Sequence, residues 1–176
     1  MITLADIESW VRGGESETPE FKRTTSERRE AARTICAMLN HLGGHVIFGV
    51  EPDGRMTGQM VSDRTVEEVA QELAEIEPPV FPSIERIDFT AGRQLLVVTA
   101  RVGSGQPYSY RGQAYRRVGN TSRQLSREEY NRILLERLQW QPALGKSAGG
   151  GLDLGRFGWG GDYPDAGGIH PARAGG

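Results

Sequence analysis

The chain predicts an α+β fold, a mixed and largely antiparallel sheet with helices packed on it, and three observations carry that prediction. Apolar residues recur at helical spacing in four separate segments. Compact apolar runs of strand length lie between them, and turn residues join the later strands closely enough for hairpins. The resulting order is helix, strand, helix, strand, helix, hairpin, hairpin, helix, which is neither a regular βαβ alternation nor all-β. At 176 residues, with 37% hydrophobic and 25% charged, the chain holds one domain of ordinary size and a tail.

Leu4, Ile7, Trp10 and Val11 give a short first helix ending at Gly13-Gly14. Pro19 disfavours helix just before it, so Glu20-Phe21-Lys22 reads as a strand. Ser26 is placed to cap a second helix whose apolar stripe is Ala32, Ile35, Cys36, Leu39 and Leu42, stopped by Gly43-Gly44. The run from His45 to Val50 is a strand closed by the turn Glu51-Pro52-Asp53-Gly54. Thr65 and Glu68 form a capping-box pattern ahead of a third helix over residues 65–77, which Pro78, Pro79 and Pro82 end. Strands over about residues 84–90 and 94–102 make one hairpin around Ala91-Gly92-Arg93, and Tyr108–Tyr110 with Ala114–Val118 make a second. Ser126 and Glu129 open a last helix carrying Tyr130, Ile133, Leu134 and Leu138. From Gln141 onward 12 of 36 residues are glycine and no periodic pattern survives, so residues 1–140 read as the domain and 141–176 as a disordered tail. Phe157, Trp159 and Tyr163 are the tail's only docking candidates.

No run reaches the 18 or more apolar residues of a membrane span, and the first residues form no basic and apolar leader, so a cytoplasmic location is expected. Cys36 is the only cysteine and falls on an apolar helical stripe, where a thiol is a small core residue. The net charge of −2 argues against a generic polyanion binder, but its distribution is uneven. Residues 22–33 carry five cations against two acids and residues 111–137 seven arginines against three, whereas residues 63–88 carry eight acids against two arginines. Bringing the basic segments together would give one positive and one negative face, or else these are simply solvated helix surfaces.

Residues 15–22 set Glu15, Glu17 and Glu20 beside Lys22 in a chain with 19 Arg and only 2 Lys. Carboxylates with an ammonium suit metal-assisted phosphodiester chemistry, the acids holding a divalent ion and the compact cation meeting phosphate charge. Arg116-Arg117-Val118-Gly119-Asn120-Thr121-Ser122 combines residue types that position phosphates, and equally reads as a strand end followed by a turn. Tyr108, Tyr110 and Tyr115 would suit stacking on unpaired bases or plain strand packing. Gly145-Lys146-Ser147 lacks the earlier glycine of a phosphate loop, since Trp140 stands there. His41 and His45 are separated by two glycines that break the helix a zinc pair would need.

Four ordered blocks then carry a resemblance: Glu15-x-x-x-x-Glu20-Phe21-Lys22, the run Ile35 to Gly44 containing Asn40-x-x-Gly43-Gly44, Ile47-Phe48-Gly49-Val50 with Asp53-Gly54 and Gly58, and Tyr115-Arg116-Arg117-Val118-Gly119. Over roughly residues 4–138 the chain resembles the Schlafen AlbA_2 family. The resemblance implies an α+β nucleic-acid-binding module of the kind found in bacterial regulators, with DNA or RNA as partner. It also implies, for certain Schlafen proteins, a Mg²⁺- or Mn²⁺-dependent site cleaving tRNA-like RNA. Glu15 and Glu20 match two of its ligands, and the third falls to Asp53 or Glu51, because Pro52 occupies the family's aspartate position. Two readings follow. In the preferred one Lys22, Arg23, Arg116, Arg117 and Arg123 contact phosphates and nothing is cut. In the other Glu15, Glu20 and Asp53 hold the metal and Lys22 stabilises the transition state, making Glu15, Glu20 and Lys22 catalytic. A homodimer is expected to raise affinity, and a protein-interaction scaffold using the acidic third helix is the weakest alternative.

Overall fold

Apolar residues on both faces of the central strands decide the architecture. The computed structural model describes residues 2–140; the expected tail, with Phe157, Trp159 and Tyr163, lies outside the described residues. The helices are α1 (Leu4–Gly13), α2 (Arg28–Leu39), α3 (Asp63–Leu73) and α4 (Arg127–Trp140). The strands are β1 (Pro19–Lys22), β2 (Gly44–Phe48), β3 (Ile76–Glu77), β4 (Ser83–Thr90), β5 (Arg93–Ala100), β6 (Ser109–Tyr110), β7 (Gln113–Val118) and β8 (Thr121–Gln124). They form two four-stranded sheets, β1-β2-β5-β4 and β3-β6-β7-β8. Only the β1–β2 pair is parallel, joined by α2 as the crossover, so the α+β class with largely antiparallel pairing is the one observed.

β5 reads Leu95-Leu96-Val97-Val98 because both its faces are buried. Leu96, Val98 and Ala100 join a cluster with α2, α3 and Tyr108 and Tyr110 of the second sheet, while Leu95 and Val97 join Ile7, Phe21 and Ile47 beneath α1. α2 is buried from Ala31 to Leu39 at every position except Arg33. Each large apolar side chain withdrawn from water in these clusters contributes roughly 1.5–3 kcal/mol. Cys36 lies in the same cluster as a small side chain, and burial pushes its thiol up to about 12, which fits a core residue.

Three local expectations are corrected. Ser26 does not cap α2: Thr24 caps a single 3-10 turn over Thr25–Glu27, and α2 starts at Arg28. α3 starts one turn earlier than Thr65, because Ser62 Oγ accepts the Thr65 amide at 3.2 Å and Thr65 Oγ1 accepts the Ser62 amide. That helix ends at Leu73, and Ile76-Glu77 pairs with β6 as a strand instead of continuing it. β8 is an addition: a Gly119-Asn120 turn returns the chain so that Arg116 lies opposite Arg123 and Arg117 opposite Ser122. Gly43 closes α2 as expected, and more than helix termination holds it there. At φ +77° a Cβ would stand 2.6 Å from the Ala100 carbonyl oxygen, so this turn must be bare to reach the end of β5.

Candidate nucleic-acid interface

The short β1 carries the acid and cation cluster that the sequence singles out, and pairing with β2 turns Glu20 and Lys22 inward. Lys22 Nζ lies 2.8 Å from Glu20 Oε1 and 3.9 Å from Glu30 Oε2. Arg117 Nη2 of β7 lies 3.0 Å from Glu20 Oε2 and donates to the Ser16 carbonyl oxygen at 2.6 Å. Its Nη1 donates to Ser122 Oγ at 3.3 Å, and that hydroxyl lies 3.5 Å from Thr34 Oγ1 on α2. Both oxygens of Glu20 are therefore taken by cations of the protein itself. Arg117 is 2% exposed and its Nε has no partner, so its guanidinium braces the second sheet against β1 and meets no phosphate in this arrangement. Lys22 and Arg117, both expected to contact phosphates, are turned to Glu20 in this arrangement. On β7 the successive residues Arg116 and Arg117 point to opposite faces, Arg117 buried and Arg116 exposed.

The remaining acids are engaged apart from one another. Glu15 Oε1 accepts the Phe21 amide at 3.0 Å, and Asp53 Oδ1 accepts the Arg55 amide at 2.9 Å within its own turn. Glu51 lies 3.0 Å from Arg23 Nε. Among the described residues no three His, Cys, Asp or Glu side chains gather so as to hold a metal ion.

Arg116 and Arg123 face away from this brace. As a directly opposed cross-strand pair they share one face of the β7–β8 hairpin, where like charges repel. Arg123 is relieved by Glu129 at the start of α4, whose carboxyl the guanidinium and the Ser126 amide hold down at about 2. Arg116 is exposed and has no acidic partner among the described residues. Arg33, exposed on α2, stands 6.0 Å from the Tyr115 ring centroid and has no acidic partner among the described residues.

The profile of the Schlafen AlbA_2 family matches residues 15–126. The chain belongs to that family. Two solved structures share its fold. The DIP2311 protein of Corynebacterium diphtheriae is 18% identical with a TM-score of 0.54, over 72% of this chain and 30% of that one. The N-terminal domain of an ATP-dependent DNA helicase RecG-related protein of Nitrosomonas europaea is 22% identical with a TM-score of 0.53, over 72% of this chain and 95% of that one. This chain thus spans less than a third of the Corynebacterium protein and nearly all of the Nitrosomonas domain. No curated protein matches it.

Tested against the metal that some AlbA_2 relatives imply, the donor set does not fit as arranged. Glu20 is saturated by Lys22 and Arg117, Glu15 caps a backbone amide, and Asp53 serves its own turn. Part of the acidic segment is neutralised, since Glu68 and Glu72 of α3 reach Arg28, Arg29 and Arg111 at 2.8–4.0 Å. Sequence reasoning missed Asn40. Its amide donates to the Tyr108 and Tyr115 carbonyl oxygens at 2.7 and 2.8 Å and accepts the Tyr108 amide at 2.7 Å, tying α2 to the strands that carry the arginines. The motif Asn-x-x-Gly-Gly was its only signal.

Proposed function

We propose that this chain is a nucleic-acid-binding domain that takes phosphates on the face of the β7–β8 hairpin carrying Arg116 and Arg123, with Arg23 and Arg33 as outlying contacts. Membership of the AlbA_2 family supports the partner class, and one observation carries the site. Two opposed guanidinium groups share a strand pair, and the one carboxylate that reaches them, Glu129, pairs with Arg123 alone. A phosphate oxygen would relieve the unpaired Arg116 through bidentate, charge-assisted bonds. Sequence-independent binding follows, since phosphate contacts position the protein without reading bases.

The test is binding of tRNA, single-stranded DNA and duplex DNA across a salt series, with and without Mn²⁺, reading affinity and cleavage on the same samples. Affinity is expected to fall by roughly 0.7–0.9 log units per log unit of salt for each phosphate neutralised. Binding that ignores salt, or that survives unchanged in the Arg116→Ala/Arg123→Ala protein, overturns the proposal. Cleavage that stops with EDTA and in Glu20→Ala would show instead that the Glu20 cluster opens to take a metal.

A further inference from the structure

A separate cleft of about 780 Å³ opens between α1 and the ends of β2, β4 and β5. Its wall is aromatic: Trp10 of α1 and His45 of β2 stack with ring centroids 4.4 Å apart and planes 15° from parallel. His45 Nδ1 lies 3.0 Å from Thr99 Oγ1, which fixes the ring, and burial holds the imidazole below its ordinary value against the opposing charge of Glu85, so it is uncharged near neutral pH. Arg101, just beyond β5, lines the same cleft, is exposed, and has no carboxylate partner among the described residues. Leu42 and Val102 are apolar side chains left more than half exposed at its lining. None of these residues belongs to the hairpin face.

We propose that this cleft binds one nucleotide, as an unpaired base with its phosphate. Three features point to that chemistry. The volume is within the 300–1,000 Å³ of small-ligand pockets. A flat aromatic wall with apolar side chains beside it suits a base of any sequence, stacking being worth roughly 1–3 kcal/mol per base. A lone guanidinium supplies one phosphate contact, while the Ser83 hydroxyl and the Glu85 and Asp6 carboxylates at the lining supply the mixed polar groups that a base edge requires. The site could take a free nucleotide or an unpaired nucleotide within a strand, and the two share this recognition chemistry.

The experiment titrates guanosine and cytidine monophosphates into the full chain carrying Trp140→Phe and Trp159→Phe, which leaves Trp10 as the only tryptophan, with calorimetry on the unaltered chain as a second measurement. Saturable quenching of Trp10 is expected, and Arg101→Gln should weaken it by about tenfold, the loss of one hydrogen-bonded charge. A short single-stranded oligonucleotide that displaces the mononucleotide assigns the site to strands with an unpaired base; failure to displace assigns it to free nucleotides. The Arg116→Ala/Arg123→Ala protein should bind mononucleotides as before, which separates this site from the phosphate face. No saturable heat or quenching at millimolar nucleotide, or equal affinity in Arg101→Gln, overturns the proposal.

Discussion

Arg116 and Arg117 are neighbours in sequence and opposites in circumstance. Arg117 points into the protein, where two acceptors on β1 and its flanking turn and a hydroxyl on β8 hold it. Arg116 points to solvent beside a second arginine. The strand's two-residue period makes one side chain a brace and the other a contact, although residue type and charge are identical. The charge of a motif acts only through the face on which it lands.

Removing the acid from the brace should have the largest effect. Glu20→Gln should cost about 3–5 kcal/mol in urea unfolding, because it leaves Arg117 buried without a carboxylate and Lys22 with only Glu30 at 3.9 Å. An excess of Mn²⁺ should leave the midpoint of the unaltered protein in place, since only an ion that binds the native state would raise it. A loss below about 1 kcal/mol would show that the cluster is wetter than its burial indicates. Next in size, Asn40→Ala removes partners from one buried amide and two carbonyl groups and should cost about 3 kcal/mol by the same measurement. On the exposed side, Arg116→Ala with Arg123→Ala should leave stability within about 0.5 kcal/mol and lower the log–log salt slope of nucleic-acid binding by about two. Reversed behaviour of the two sides, binding lost in the brace variant at full stability, would invert the assignment.

The smallest effect concerns pH. His45 has its folded value lowered, so the unfolded chain binds the proton more readily. Its contribution is whole above the unfolded value of about 6.5 and is lost as pH falls through that value toward the lower folded one. Thermal midpoints should therefore drop between about pH 7.5 and pH 5.5, and His45→Gln should flatten the slope.

Much of the fold was legible because local chemistry and tertiary packing agree. The Ser126–Glu129 box, the glycines after α2 and the apolar run into Val50 each specify the element that forms. β8 was not legible: Thr-Ser-Arg-Gln has no apolar alternation, and only the Gly119-Asn120 turn announced a returning strand. At the site, the Glu15–Lys22 cluster was legible, but its partner Arg117 was not. Spacing shows which charges are near one another, whereas Arg117, 97 residues from Glu20 along the chain, arrives only through the packing of β7 against α2 and β1. Arg33 escaped notice for a related reason, being the one exposed position in the buried run from Ala31 to Leu39.

That buried run has a further consequence. α2 packs against β2 and β5 of one sheet and against β6, β7 and β8 of the other. Neither sheet can lose its helix without exposing the apolar surface shared by both, so the two should melt as one cooperative unit. Amide protons from Ile35 to Leu39 should then exchange with solvent only through global opening, and serve as a gauge of the whole domain's free energy.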